Sequence, residues 1–383
     1  MKQLFRLLPN KLVVMQTALF LLINSLFISK YISRLQISPF LGVGVYLSIV
    51  FLIFSLIKYI NILSKNQLRL LFYTSITFIL ISAITLIYSI NPYTINVDRW
   101  SAIHNFIKLL FDGQYPYLAK THLGGYGSPF PIWQYIHIPF YLLGNVSLGM
   151  VFSLILLTYI LSKYTNDYKT AILFVLLILI SPAFWYEVSV RSDLFYNLLL
   201  CLLMLIVWNE KKLQISKHPI LLGIICGLFI STRLSVFFPF YIFLFKDFWN
   251  CSNNTKFQFI FSSLVSFFLS FLPLLLWDSN ALLTFKYNPF VLQTRQGSIF
   301  EIVIMLIITL IQSFLWNSDF IKCNHYISIS LTFLVVITFS HNMYLDNFSQ
   351  NLFSNKYDIT YFNMALPFCI YAISKGLERE QQK

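Results

Sequence analysis

The chain has 383 residues, of which 58% are hydrophobic and only 11% are charged, and its formal net charge at pH 7 is +13. Soluble domains carry about 25% charged residues, so this composition excludes an ordinary soluble protein and indicates an integral membrane protein. The net positive charge then indicates Lys and Arg at the ends of membrane spans, not nucleic-acid binding. We therefore predict a protein whose partners are membrane lipids and which binds no nucleic acid.

Long apolar runs recur along the whole sequence and predict an all-α polytopic protein. Runs of this length cross a bilayer as helices, whereas the strands of a β-barrel would alternate apolar and polar residues. About twelve transmembrane helices are predicted in a single polytopic domain over residues 1–383. The predicted spans are 12–29, 40–57, 70–90, 147–161, 171–185, 194–208, 220–230, 234–245, 257–277, 299–316, 327–338 and 361–373. Residues 132–143 form a shorter apolar piece that is predicted to lie in the interface or to re-enter the membrane.

The distribution of Lys and Arg predicts the orientation. If the crossings alternate, most basic residues fall on one side together with both termini, with Lys30 and Arg34 as exceptions. The positive-inside rule places that side in the cytoplasm of a cell (inner) membrane. The opposite, periplasmic or extracellular face then receives the polar loops 91–131, 187–193, 278–297 and 344–358. This asymmetry predicts that the functional site lies on the outer face.

The first outer loop, 91–131, opens with Asp98 and continues with an amphipathic pattern. Apolar residues recur at helical spacing at Ile103, Phe106, Ile107, Leu110 and Phe111. This spacing predicts a surface helix that carries His104 and is stopped at Gly113. Asp98 stands at the start of that helix, so it is either a helix cap or a catalytic carboxylate.

Charged residues mark the later outer loops and the end of one apolar run. Arg191 and Asp193 lie in a tight turn, where an arginine fork suits a phosphate group and the alternative is a solvated ion pair. Arg233 lies between two short apolar runs, where a charge usually faces a cavity or a partner unless it simply ends a helix. Arg295 and Tyr357 lie in loops whose polar aromatics and cations suit a sugar phosphate, although any interfacial loop contains such residues.

The sequence carries no recognisable metal or cofactor motif. No HExxH, no Gly-x-Ser-x-Gly and no clustered His/Cys pattern is found, so no metal ligand and no cofactor is predicted, and a divalent-metal requirement is left open. The five cysteines are scattered singly, which favours small buried apolar residues over disulfides.

The first outer loop resembles that of membrane glycosyltransferases of the GT-C class. The resemblance rests on Asp-Arg-Trp at 98–100, Gly-Gln-Tyr-Pro-Tyr at 113–117 and Gly-Tyr-Gly-Ser-Pro-Phe-Pro at 125–131. The resemblance covers about residues 91–139, and the remainder of the chain agrees in span count and loop positions. The Arg-x-Asp at 191–193 is also similar to an element of several members. Many members carry two acidic residues close together, whereas Asp98 and Asp112 are fourteen residues apart here.

The resemblance implies an enzyme, a hexosyltransferase similar to mannosyltransferases. Such an enzyme moves a sugar from a polyprenyl-phosphate donor to a glycan or lipid acceptor at the outer face, with inversion, and Asp98 is the implied catalytic base. The predicted substrate- and phosphate-binding residues are Arg99, Arg191, Asp193, Arg233, Arg295, His104 and Tyr357.

Two other classes remain open. A transporter or lipid flippase fits the number of spans, but charged residues are nearly absent from mid-span positions, where coupling sites usually lie. A polysaccharide polymerase or ligase would share the outer face and the arginines without requiring Asp98 as a base.

Overall fold

The computed structural model describes residues 11–165, 168–294, 298–354 and 356–381. Within these ranges the protein is all-helical and forms no strand, which confirms the predicted all-α class. The helices are α1 (Lys11–Ser33), α2 (Pro39–Leu56), α3 (Lys65–Ser89), α4 (Arg99–Phe111), α5 (Pro131–Ile136), α6 (Ile138–Leu142), α7 (Leu148–Tyr164), α8 (Lys169–Leu179), α9 (Pro182–Ser189), α10 (Leu194–Glu210), α11 (Pro219–Ile230), α12 (Phe237–Trp249), α13 (Asn253–Trp277), α14 (Ser279–Leu283), α15 (Pro289–Thr294), α16 (Ile299–Leu315), α17 (Phe320–Leu345), α18 (Phe348–Leu352) and α19 (Leu366–Gln381). Short 3-10 helices cover Ile57–Ile62, Pro92–Thr94, Pro116–Leu118, Leu234–Val236 and Ile359–Met364.

Five helical segments of the described chain are long and apolar enough to cross a membrane. They are Lys11–Ser33, Pro39–Ile62, Lys65–Ser89, Asn253–Trp277 and Phe320–Leu345. The bent pair α8 and α9 adds a sixth if it is one span. Shorter apolar helices cover Leu148–Tyr164, Leu194–Glu210, Pro219–Ile230 and Phe300–Leu315. These helices indicate a membrane protein, whereas the twelve spans and their sidedness stay predictions.

The apolar run 171–185 is not one continuous helix. It divides into α8 and α9, which meet at an angle of 67°. Pro182 lacks a backbone N–H and its ring clashes with the preceding turn, so the helix cannot continue through it. Asn24 of α1 supplies the missing partners, because its Oδ1 accepts hydrogen bonds from Ser181 Oγ (2.7 Å) and from the Ala183 amide (3.1 Å). The break is thereby stabilised at a buried position.

The chain divides into two compact units. The first unit comprises Met1–Leu86, Leu154–Ser189 and Asn317–Lys383, and the second comprises Ile87–Ser153 and Val190–Trp316. In the first unit the buried helix α19 packs against α1, α8 and α17. The single domain predicted over residues 1–383 stays a prediction.

The second unit is held together by a close approach of α11 and α13. A Cβ atom added at Gly223 or Gly227 would lie 2.0 Å from the Oγ of Ser262 or Ser266, respectively. Small residues at such positions let helix backbones approach closely and gain van der Waals contact. This seam fixes the end of α11, from which the chain continues to Arg233.

Candidate functional site

The helix predicted after Asp98 is present as α4, while its position on a membrane surface in an outer loop stays a prediction. It begins at Arg99, directly after Asp98, and ends with Asp112 as C-cap. Gly113 adopts φ +67°, the left-handed conformation that favours glycine. The amide of Gln114 donates to the carbonyl of Leu109 (2.9 Å), and the Gly113 amide donates to Leu110 (3.3 Å). These two bonds form a Schellman motif, which stops the helix as the sequence predicts.

Asp98 occupies the N-cap position, but its carboxylate does not cap the helix. The side chain makes no capping hydrogen bond. Instead its Oδ2 accepts a hydrogen bond from the hydroxyl of Thr121 (2.8 Å). The same hydroxyl accepts from the amide of Gly125 (3.0 Å), so the turn 121–125 positions the carboxylate. The interpretation of the Asp98 side chain as a helix cap is therefore wrong, and a catalytic role for this half-buried carboxylate stays a prediction.

The returning part of the loop is fixed on both sides of Asp98. The backbone amide of His122 donates to Ser101 Oγ (3.1 Å), and its ring Nε2 donates to the carbonyl of Ile95 (2.8 Å). Because a carbonyl only accepts, Nε2 carries a proton. Ser101 follows Asp98 on α4 and Ile95 precedes it, so His122 clamps the segment that carries the carboxylate.

A second group of candidate functional side chains converges on Asp193. We call Arg99, Trp133, Asp193 and Arg233 the Asp193 cluster. Oδ2 of Asp193 accepts hydrogen bonds from Trp133 Nε1 (2.6 Å) and from Arg233 Nη2 (2.5 Å) and Nε (3.2 Å). Arg99 Nη1 donates to Ser192 Oγ (3.1 Å) and lies 4.0 Å from Asp193 Oδ1. Four segments distant in sequence thus meet, and Arg99 joins the cluster directly to Asp98.

The cluster carries two cations and one anion. Asp193 is fully buried, and burial alone would raise its pKa, but the charges of Arg233 and Arg99 together with the hydrogen bond from Arg233 lower that pKa below its usual value. Asp193 is therefore ionised. The side chains of Arg99 and Arg233 retain 11% and 9% exposure. Two nearly buried guanidinium groups share one carboxylate, so the cluster carries an excess of positive charge, which is suited to an anionic ligand.

A histidine and a tyrosine orient Trp133. Nδ1 of His137 donates to the carbonyl of Trp133 (2.6 Å), which leaves Nε2 to accept from the Tyr196 hydroxyl (2.7 Å). His137 is completely buried, and this burial lowers its pKa to about 4, against a smaller opposing effect of the Trp133 carbonyl. A neutral imidazole therefore fixes the backbone of the residue that donates to Asp193.

We expect His137 to make the protein less stable in acid. Between pH 6.5 and about 4 the unfolded chain binds a proton at His137 and the folded chain does not. The contribution of His137 to the free energy of unfolding is therefore fully present above about pH 6.5. It falls as the pH is lowered, by about 3 kcal/mol at most. Unfolding curves of wild type and His137→Gln between pH 4.5 and 7.5 measure this difference. An identical pH dependence of both proteins would contradict the assignment.

Arg191 and His104 do not join the Asp193 cluster through any described hydrogen bond. Arg191 Nη2 donates to the carbonyls of Ile87 and Ile90 at the end of α3, where the helix dipole favours a cation. Its guanidinium also lies 5.6 Å from the ring of Trp100, on which the His104 ring stacks (4.6 Å between centroids). Burial, with a smaller effect of a nearby lysine, lowers the pKa of His104. These contacts favour packing roles, and ligand binding by either residue stays a prediction.

The two remaining predicted residues lie elsewhere. Tyr357 belongs to the first unit and is 2% exposed, and its hydroxyl bonds Thr338 Oγ1 (2.7 Å) and the carbonyl of Val335 (3.2 Å). This burial favours a core role for Tyr357. Arg295 lies outside the described residues.

Sequence reasoning missed Thr121, Trp133 and His137. A histidine inside the apolar run 132–143 is a recognisable signal, because a buried imidazole requires specific partners. Trp133 gives a weaker signal, since tryptophan is common at membrane interfaces. Nothing in the spacing marks Thr121, whose role depends on a contact made 23 residues away.

Comparison of the chain with protein-family models, curated proteins and solved structures finds no match. The resemblance to GT-C glycosyltransferases stays a prediction that rests on the residues quoted above. Within the described ranges, no three His, Cys, Asp or Glu side chains group as metal ligands.

Proposed function

We propose that the protein is a membrane glycosyltransferase that moves a sugar from a polyprenyl-phosphate donor to a glycan or lipid acceptor. The observation that carries the proposal is the convergence of Arg99, Asp193 and Arg233 in the second unit, with Asp98 directly before Arg99 in the chain. A carboxylate and two arginines are the groups that such a transfer requires. In this proposal about twelve spans cross the cell membrane, both termini are cytoplasmic, and the first outer loop faces the periplasm or the exterior.

Asp98 is the proposed general base. Its Oδ2 is bonded to Thr121, and the carboxylate is half-buried and therefore accessible. It removes the proton of the acceptor hydroxyl while that oxygen attacks the anomeric carbon. The bond from that carbon to the phosphate oxygen breaks on the opposite face, so the configuration inverts. The electron pair leaves with the polyprenyl phosphate.

Arg99 and Arg233 are the proposed partners of the leaving phosphate. The negative charge on the phosphate oxygen grows as the bond breaks, and preorganised donors stabilise that charge in the transition state. Asp193 holds Arg233 through two hydrogen bonds to one oxygen. A guanidinium fixed in this way loses less side-chain entropy when it binds phosphate.

We expect Gly125→Ala to reduce turnover by about tenfold, since small displacements of reacting groups have large effects on rate. The added methyl group would lie 3.1 Å from Asp98 Oδ2, so the carboxylate must move by a few tenths of an ångström. Gly44→Ala is the control, because its Cβ meets no atom within 4 Å. Equal turnover of the two variants would show that the position of Asp98 does not matter.

Deletion of the gene in its own host tests the proposal. A missing transferase leaves a glycan or lipid acceptor that lacks one sugar, and the wild-type gene restores the full product. The lipid-linked and surface glycans are compared by mass spectrometry. Glycans of unchanged length in the deleted strain would refute the proposal.

A lipid flippase is the second candidate, and one observation favours it. Lys30 is 2% exposed within the candidate span Lys11–Ser33, and an ionisable residue inside a span often marks a transport pathway. Loss of a flippase leaves a glycan of full length on the wrong face of the membrane. The same deletion strain therefore separates the two functions, because only loss of the transferase shortens the glycan.

A further inference from the structure

Three aromatic rings form a partly exposed cluster in the second unit. We call Tyr126, Phe285 and Tyr287 the aromatic platform. The rings of Tyr126 and Tyr287 stack with 5.2 Å between centroids and 12° between planes, and Phe285 packs edge-on against both. Tyr287 is 41% exposed. Within the described chain the hydroxyl groups of both tyrosines make no hydrogen bond, so they remain available to a ligand.

Both sides of the platform are fixed by their own backbone. Tyr126 closes a tight turn in which the Thr121 amide donates to the Gly125 carbonyl (2.8 Å), and it pairs with Lys120 as an isolated bridge. Phe285 and Tyr287 lie between α14 and α15, where the buried Asn288 side chain donates to the carbonyl of Phe285 (2.9 Å). The rings are therefore preorganised and do not stand on a flexible loop.

The platform adjoins the proposed catalytic carboxylate. Thr121 bonds Asp98 Oδ2, and a Cβ on Gly125 would lie 3.1 Å from that oxygen. Tyr126 is the next residue, and consecutive Cα atoms are about 3.8 Å apart. One short turn therefore positions both Asp98 and the first ring of the platform.

A glutamine connects the platform to the segment that carries Arg233. Gln293 of α15 donates from Nε2 to the carbonyl of Ser128 (2.9 Å), and its Oε1 accepts from the amide of Leu234 (3.0 Å). Ser128 follows Tyr126 in the same loop, and Leu234 follows Arg233. The platform, Asp98 and Arg233 thus belong to one hydrogen-bonded framework.

We propose that the aromatic platform binds a sugar ring of the acceptor, so that the acceptor is a glycan; this inference rests on the proposed transferase function. The C–H groups of a pyranose ring carry partial positive charge and lie flat on the negative face of an aromatic ring. The two tyrosine hydroxyls and Lys286, whose Nζ lies 5.5 Å from the Tyr287 ring centroid, supply hydrogen bonds to sugar hydroxyls. In this proposal a hydroxyl group of the stacked sugar is the one that Asp98 deprotonates.

Saturation-transfer NMR on the full chain in lipid nanodiscs tests the platform. The probes are the methyl glycosides of D-mannose, D-glucose, D-galactose and N-acetyl-D-glucosamine. We expect saturation transfer from aromatic protons to at least one probe, about tenfold weaker binding in Tyr126→Ala and Tyr287→Ala, and nearly unchanged binding in Tyr287→Phe. Tyr344→Ala is the matched control, because Tyr344 is an 88% exposed tyrosine of the first unit.

Three results of the nanodisc experiment would each overturn the inference. They are no transfer to any of the four glycosides, equal binding by wild type and Tyr287→Ala, and an equal loss in Tyr344→Ala. Transfer in detergent micelles that disappears in nanodiscs would assign the rings to the lipid interface instead, where tyrosines are common, and would also overturn it. The proposed transferase function has a separate readout, since it fails only if deletion leaves the glycans unshortened.

Discussion

Asp98→Asn is expected to lower turnover about 100- to 10,000-fold while leaving donor binding within about twofold of wild type. General acid–base catalysis typically contributes this factor, and an amide cannot accept the proton. The folded state should be preserved, because the carboxylate does not cap α4 and the Asn Oδ1 still accepts from Thr121. Single-turnover transfer from a radiolabelled polyprenyl-phosphate sugar measures the rate, and donor binding is measured separately.

Asp112→Asn is the matched control for Asp98→Asn. Asp112 is an exposed carboxylate at the opposite end of the same helix, so its loss should change neither rate nor binding. If Asp98→Asn transfers sugar at the wild-type rate, Asp98 is not the base. A polymerase or ligase that does not require this carboxylate would then replace the transferase as the leading proposal.

Arg233→Met is expected to lower the free energy of unfolding by about 3–5 kcal/mol, because it leaves a buried carboxylate without its partner. Asp193 has 1% side-chain exposure, and the next cation, Arg99, is 4.0 Å away. Unfolding by sodium dodecyl sulfate titration measures the change. The same variant should also weaken donor binding, since a proposed phosphate ligand is removed.

Two further variants test whether the loss of unfolding free energy in Arg233→Met is specific to the buried pair or a general effect of removing an arginine. Arg379→Met breaks an exposed pair with Asp319, whose side chains are 49% and 20% exposed, and should cost at most about 1 kcal/mol. Asp193→Asn combined with Arg233→Met should recover part of the lost stability, because the fully buried side chain at position 193 no longer carries a charge. A cost for Arg233→Met as small as that for Arg379→Met would contradict the buried-pair interpretation.

The sequence predicted the helical class and the positions of most long helices, because an apolar run of sufficient length specifies a membrane-type helix without reference to the rest of the chain. It did not predict the division of 171–185 into α8 and α9. Pro182 signals a break, but Asn24, which stabilises that break, lies 157 residues from Ser181 in sequence. Local patterns cannot reveal a partner at that distance.

The sequence predicted several charged residues of the candidate site but not the hydrogen bonds between them. Asp98, Asp193 and Arg233 are recognisable because charges are rare in this chain and are costly near a membrane. Neither residue of the Asp193–Arg233 pair reveals the other by its spacing. The sequence also could not show that the Asp98 carboxylate bonds the hydroxyl of Thr121, 23 residues away, instead of capping α4.

The Asp193 cluster also sets an order of events during biosynthesis. Because the ribosome makes the chain from its N-terminus, Arg99 and Trp133 emerge before Asp193, and Arg233 emerges 40 residues after it. In the nascent chain, Arg99 of the cluster is therefore made before the Asp193 carboxylate. The main counterion, Arg233, follows only after α10 and α11 have been made. A translational pause within those 40 residues would leave the carboxylate without its main counterion, and release from the pause would complete the pair. The ion pair that neutralises the buried Asp193 is thus completed only after two further helices, α10 and α11, have been synthesised.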